Sequence, residues 1–239
     1  MRVAVHINPF AAMRLMFNDQ PSGDPDPVLA AVVLDVAGVD GIVCRANDKR
    51  APLSERDLTL LKQIGRRHLT VESEVNETAL RKIMEMKPDQ VTLLPTENTP
   101  KNQGLEVEAN AAELKEIISS LHAAQIETCV FIEPVIAQVK AARKVQADYV
   151  TLNTYALTHS PSTAETIIHL EEIESASLGA NKLELRVLAS GGLNYRNVGN
   201  LVTLGTIEEL VLGYEFISHA VFVGLERALQ EVRQALNRT

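Results

Sequence analysis

Only two cysteines, Cys44 and Cys129, occur in the 239 residues, and both sit in apolar, strand-like runs. So sparse a pair excludes a disulfide framework and reads as buried thiols in a reducing compartment. Excess positive charge is missing too: 23 Lys and Arg stand against 31 Asp and Glu, a net charge of -8. A nucleic-acid backbone needs a basic face, so it is excluded as the main partner. A small phosphorylated ligand is not excluded, because a local positive pocket is enough for it. Arg66-Arg67 is too short for a nucleic-acid patch and reads as positive charge at a helix C-terminus.

No apolar run approaches the roughly 20 residues of a membrane span. The opening MRVAVHINPF carries one positive charge and too short an apolar stretch for a secretory leader. A cytoplasmic protein with no membrane partner is expected. No pair among His68, His122, His159, His169 and His219 has metal-ligand spacing, so no metal is expected. No Pro/Ser-rich linker divides the chain, and residues 1–239 are expected to form one domain.

What is present is alternation. Short β-branched runs precede longer helical periods eight times: VAVHIN before PVLAAVVLDVAG, GIVCRA before SERDLTLLKQIG, and so on to IEELVLGYEF before AVFVGLERALQEVRQALN. Asp26-Pro27 places a capping carboxylate before a proline at the first helical position, and Ser160-Pro161 repeats the device. Ser54 and Asp57 have the spacing of a capping box. Gly38, Gly179 and Gly205 fall where helix C-caps are expected. Eight consecutive βα units point to an α/β fold, a (β/α)8 TIM barrel; an open doubly wound sheet is the competing architecture. The polar loops Asn18 to Pro27 and Thr96 to Gly104 would then lie at the C-terminal face, where such barrels bind ligands.

Side chains alternate faces along a strand. Val43, Arg45 and Asn47 oppose Ile42 and Cys44; Thr70, Glu72 and Glu74 oppose Leu69, Val71 and Ser73; Thr151 and Asn153 oppose Val150 and Leu152. His6 and Asn8 share a parity on the first strand. The polar set suits the barrel interior, so His6, Asn8, Arg45, Asn47, Glu72, Thr151 and Asn153 are the expected lining of the mouth. Arg45 and Glu72 end adjacent strands and could pair, which would hold Glu72 ionised and weaken it as a base. The seventh strand stops in Ser190-Gly191-Gly192 and the eighth in Gly213-Tyr214. Loops after strands seven and eight recur as phosphate sites in this architecture, so Ser190, Gly191, Gly192 and Gly213 are the expected phosphate seat.

Across DPDPVLAAVVLDVAGVDGI, RDLTLLKQ, TVESEV, MKPDQVTLLP, GLNYRNV and AVFVGLERALQEV, the chain resembles the pyridoxine 5'-phosphate synthase family of vitamin B6 synthesis. The resemblance implies a barrel that condenses 3-amino-2-oxopropyl phosphate with 1-deoxy-D-xylulose 5-phosphate. It also implies no metal or organic cofactor, and a homo-octamer. By the same resemblance Glu72 matches the family's catalytic Glu, and Gly192 and Gly213 match phosphate-binding glycines. The first strand's Asn-x-Asp-His is here His6-Ile7-Asn8-Pro9, and Phe17 stands where a substrate-binding Arg is expected. The strand-two His, Arg and His are Arg45, Asn47 and Pro52. The Gly-His-Gly of strand seven is Ser190-Gly191-Gly192, and the Gly-His of strand eight is Gly213-Tyr214.

Every family histidine that can be aligned to the site is thus replaced. Each positioned acid or base contributes about 10²–10⁴-fold, so the family reaction should be crippled. Three readings follow: a divergent enzyme on a small phosphorylated substrate, with Glu72 as acid/base and Tyr214 and His6 as substitute groups; a family enzyme with a rearranged site; or a non-catalytic phosphate-binding paralogue.

Overall fold

The computed structural model describes residues 1–17, 23–46, 48, 51–64, 67–96, 99 and 103–237. Eight strands, β1 (Arg2–His6), β2 (Gly41–Arg45), β3 (His68–Glu74), β4 (Gln90–Leu94), β5 (Glu127–Ile132), β6 (Tyr149–Asn153), β7 (Arg186–Ser190) and β8 (Glu209–Leu212), pair in sequence order. All pairings are parallel, and β8 returns to β1 to close the barrel. The fold is a (β/α)8 TIM barrel; the open sheet is excluded.

Helices surround it: α1 (Asn8–Phe17), α2 (Pro27–Val36), α3 (Glu55–Ile64), α4 (Glu77–Met86), α5 (Ala111–Ala123), α6 (Ile136–Lys144), α7 (Tyr155–Thr158), α8 (Thr163–Lys182), α9 (Gly199–Val202), α10 (Tyr214–Val223) and α11 (Leu225–Leu236). Strand alternation divides the core in two. Val3, Val5, Ile42, Cys44, Leu69, Val71, Val150 and Leu152 face the helices. Ala4, Val43, Cys129, Tyr149, Leu188 and Val211 form a smaller cluster of their own, on the opposite parity. No helix among the described residues is long and apolar enough to cross a membrane.

The capping signals are realised unevenly. Asp26 accepts from the Val28 N–H at 2.8 Å, with Pro27 opening α2. Ser54 and Asp57 form the reciprocal box, Asp57 N–H to Ser54 Oγ at 3.2 Å and Ser54 N–H to Asp57 Oδ2 at 2.9 Å. The cap expected at Ser160-Pro161 lies two residues later: Ser162 accepts from Glu165 N–H, and α8 begins at Thr163. Gly179 is not a C-cap but lies inside α8, where a Cβ would stand 2.8 Å from Ile136 Cδ1. Its smallness lets α8 approach α6. The single last helix expected from Ala220 onward is broken at Gly224 (φ 85°) into α10 and α11.

Helix α1 is held to α3 by one buried ion pair. Arg14 and Asp57 are both fully buried, with Nη2 to Oδ2 at 2.7 Å and Nη1 to Oδ1 at 3.3 Å. Burial alone would raise the Asp57 carboxyl, but hydrogen bonds from Arg14 and Ser54 and the Arg14 charge outweigh it and hold it below its ordinary 3.8. A depressed folded-state pKa contributes stability above the unfolded value, and that contribution is lost as pH falls through the folded value. Asp57→Ala leaves Arg14 charged and unpaired in the core, and should destabilise by about 3–5 kcal/mol in urea unfolding at pH 7. The gap between variant and parent should narrow as the pH is lowered below 4; an unchanged gap would remove the pair from this role.

Candidate functional site

At the C-terminal mouth the inward side chains of β1 to β3 form two acid–base pairs. His6 Nε2 lies 3.1 Å from Glu72 Oε2, reaching across β2. The Asn8 N–H donates to His6 Nδ1 at 3.4 Å. An Nδ1 that accepts leaves the ring proton on Nε2, aimed at the Glu72 carboxylate. Both side chains remain 16–17% exposed, so a ligand in the mouth can reach them. Glu72 Oε1 takes part in no hydrogen bond within the described chain. A carboxylate with one oxygen held by an imidazole and the other open can accept a proton from a bound molecule.

The Arg45–Glu72 pair expected from adjacency does not form. The two residues are register partners, but the Arg45 guanidinium reaches one pleat further and donates to Glu74 Oε1 at 2.8 Å. His6 takes the place at Glu72 that Arg45 was expected to fill. Glu74 lies on the same face and was missed because adjacency in register was read as contact.

Asn8 is fully buried, at the start of α1 rather than on a strand. Its Nδ2 donates to Arg45 O and Ala51 O, both at 2.9 Å, and its Oδ1 accepts from Arg45 N–H at 2.8 Å. An amide so engaged clips the end of β2 to β1, with both Nδ2 protons and the Oδ1 taken up within the chain. Asn47 lies outside the described residues. Thr151 is buried inside the barrel, its Oγ1 3.1 Å from Cys129 Sγ, beneath the mouth rather than in it.

Asn153 is also buried. Its Nδ2 donates to Glu133 Oε1 at 2.8 Å, and its Oδ1 accepts from Tyr155 N–H at 3.0 Å. Glu133 Oε1 takes a second bond from Gly104 N–H at 2.6 Å. Glu133 therefore ties β6 to the end of the loop after β4; sequence reasoning missed it because it lies just past β5, where strand parity gives no guide. Burial pushes the Cys44 and Cys129 thiols up to about 12, so neither serves as a nucleophile.

The tips of β7 and β8 differ in character. Ser190 is in register with Asn153 on one side and Val211 on the other. Gly191 (φ 123°) and Gly192 (φ 71°) occupy backbone conformations that L side chains avoid. They also pack against α7. A Cβ on Gly191 would meet Asn153 Oδ1 and the Tyr155 N at 2.9 Å, and one on Gly192 would meet Thr158 Oγ1 at 2.2 Å. Gly213 has φ -123° and ψ -131°, and a Cβ there would point into open space. Neither the Gly192 nor the Gly213 N–H donates to any described residue. The glycine run at β7 thus serves close packing as well as leaving a backbone donor free.

Tyr214 opens α10 directly after Gly213 and borders a cleft of about 530 Å³ between α10 and the loop after β7. Asn194, Tyr195, Arg196, Ser218 and His219 also line it. Arg196 and Glu215 bring one charge of each sign to that cleft, and the Arg196 Nε donates to Tyr195 Oη at 2.9 Å. Among the described residues no group of three or more His, Cys, Asp or Glu is arranged to hold a metal ion.

These features define a (β/α)8 barrel with an acid–base pair and free backbone donors at its C-terminal mouth. The profile described as "Pyridoxal phosphate biosynthesis protein PdxJ" matches residues 3–238, and the chain belongs to that family. A pyridoxine 5'-phosphate synthase of a Synechococcus strain is 37% identical over 238 residues, covering 99% of this chain and 98% of the relative. One from a Geobacter strain is 34% identical, covering 98% and 97%. Among solved structures, thiamine phosphate pyrophosphorylase from Pyrococcus furiosus superposes with a TM-score of 0.61 at 15% identity, covering 99% of this chain and 96% of that one. Phosphoribosylanthranilate isomerase from Thermotoga maritima gives 0.63 at 12%, covering 100% of both. These last two share the fold.

The two glycines separate in experiment. Gly192→Ala combines a left-handed backbone with a steric overlap and should lose at least about 1–2 kcal/mol in urea unfolding. Gly213→Ala, whose Cβ meets no atom within 4 Å, should lose less. Equal losses at both positions would contradict the packing described.

Proposed function

We propose that the chain is a divergent enzyme of this family, acting on a small phosphorylated substrate bound at the C-terminal mouth of the barrel. The observation that carries the reading is the His6–Glu72 pair: an acid the family resemblance marks as catalytic, here partnered by an imidazole from β1. Glu72 Oε1 takes a proton from substrate, and His6 fixes the orientation of the carboxylate. Arg45, fixed by Glu74, carries positive charge at the mouth on the β2 side.

The phosphate lies at the ends of β7 and β8, accepting from the Gly192 and Gly213 N–H groups, with Arg196 as the nearby cation. Ser190 and Gly191 shape that seat, and Tyr214 stands at its edge. Thr151 and Asn153 support the floor and wall. No organic cofactor enters the scheme. The reading includes a cytoplasmic homo-oligomer, octameric as the resemblance implies; Met16, Phe17 and Phe222, 81%, 74% and 85% exposed, supply apolar surface for such contacts.

Retention of the family reaction is the second reading, favoured by Glu72 and by 37% identity across nearly the whole length of a named synthase. The two separate in a side-by-side assay with the Synechococcus relative on 3-amino-2-oxopropyl phosphate and 1-deoxy-D-xylulose 5-phosphate. This chain should release phosphate at least about 10²-fold more slowly, since several positioned proton carriers are replaced. A matching rate would replace divergence by retention. Calorimetry should show inorganic phosphate binding to the parent, and Gly213→Val should abolish it while the variant keeps the parent's circular dichroism spectrum. Undiminished binding in that variant would move the anion elsewhere.

A further inference from the structure

The barrel carries a second oriented imidazole near its mouth, on an element that the family resemblance gives no part in the chemistry. His159 follows α7, the short helix after β6. Its ring stacks on Tyr155, with centroids 3.9 Å apart and planes 17° from parallel. Its Nδ1 lies 3.0 Å from the Tyr155 carbonyl oxygen and 3.0 Å from Thr158 Oγ1. A carbonyl oxygen only accepts, so the Nδ1 carries a proton, and in the neutral ring the lone pair is on Nε2. No described carboxylate or cation pairs with this ring. The side chain is exposed, so Nε2 is a basic nitrogen with a fixed ring behind it.

Its location is set by β7. His159 Cε1, the carbon bonded to both ring nitrogens, stands 3.1 Å from where a Cβ on Gly192 would be. The same packing that requires glycine at 192 brings the imidazole against the strand tip. Thr154 and Thr158 hydroxyls donate to the Gly191 carbonyl at 2.7 and 3.0 Å, which locks α7 onto the turn. The Gly192 N–H has no acceptor in the described chain.

We propose that His159 is a phosphoryl-group ligand of the site, supplying from α7 the imidazole that β7 lacks. The inference rests on the reading that a phosphorylated molecule binds beside Gly192 and Gly213. An oxyanion accepting from the Gly192 N–H brings a second oxygen to His159 Nε2. The ring takes a proton from solvent there and donates it as a charge-assisted hydrogen bond, with Nδ1–H still on the Tyr155 carbonyl. Tyr155 keeps the ring plane fixed, so little orientational freedom is lost on binding.

Sulfate is a suitable probe because it has the tetrahedral shape of a phosphoryl group and does not titrate near neutrality. The full-length protein is labelled with diethyl pyrocarbonate, with and without saturating sulfate, and carbethoxylation of each histidine is followed by peptide mass spectrometry. Labelling of His159 should slow severalfold with sulfate, while His169, on the outer helix α8, should label at the same rate in both. Calorimetry with sulfate should show His159→Gln binding about tenfold more weakly or worse, as expected for losing a hydrogen bond from a charged donor. Its melting temperature should equal the parent's, and Tyr155→Leu, which removes the stacking face, should weaken binding by less. If sulfate binds, Gly213→Val abolishes that binding, and yet His159 is neither protected nor needed, the imidazole has no part in the seat and the proposal falls alone. If the parent binds no sulfate at all, the anion seat falls and His159 falls with it.

Discussion

Closing eight parallel strands on one another forces every second side chain into a space too narrow for anything but side chains. The rest of this molecule follows from how that inward row is filled. Its middle is small or apolar, with Ala4, Val43, Cys129, Leu188 and Val211. Toward the C-terminal end the same rows become His6, Arg45, Glu72 and Asn153, polar groups that must find partners near the mouth. They do so pairwise: imidazole with carboxylate, guanidinium with carboxylate, amide with carboxylate. The mouth is therefore a set of fixed charges and dipoles, not a loose polar rim.

That arrangement bears on what kind of chemistry the barrel keeps. A (β/α)8 frame tolerates large changes at strand ends because the strands are held by the ladder and by the outer apolar layer, not by the site. The family resemblance marks histidines at positions on strands one, two, seven and eight, and none of those positions is histidine in this chain. Imidazoles are nevertheless present, at the end of β1 and after β6. Each is oriented by a bond at Nδ1, from a backbone N–H in His6 and to a backbone carbonyl in His159, so the two rings are in opposite tautomers. In the neutral state His6 presents a donor to Glu72, whereas His159 presents an acceptor to solvent.

The strands were readable because period-two alternation and β-branched runs are strong local signals. The alternation read from Leu69 to Glu74 falls within β3, His68–Glu74. The inward parity of Arg45, Glu72 and Asn153 was readable for the same reason. Pairing within the mouth was not, since it depends on side-chain reach: Arg45 passes its register partner for Glu74, and His6 crosses a whole strand to Glu72. Asn8 misled because strand parity was carried past the end of β1, where the chain has already turned into α1. The extra helices α1 and α7 and the break at Gly224 add turns that the simple βα count does not contain. The glycines at β7 were legible as a place where side chains cannot go, but sequence could not say that α7 is what excludes them.

The central proposal is an anion seat at the ends of β7 and β8, with a proton-transfer pair on β1 and β3 at the same end of the barrel. A crystal structure grown in inorganic phosphate tests it most directly. The account predicts tetrahedral density accepting from the Gly192 and Gly213 N–H groups, with Glu72 Oε1 open to the space beside it. A phosphate bound elsewhere on the barrel, with packed side chains filling the mouth, would contradict it.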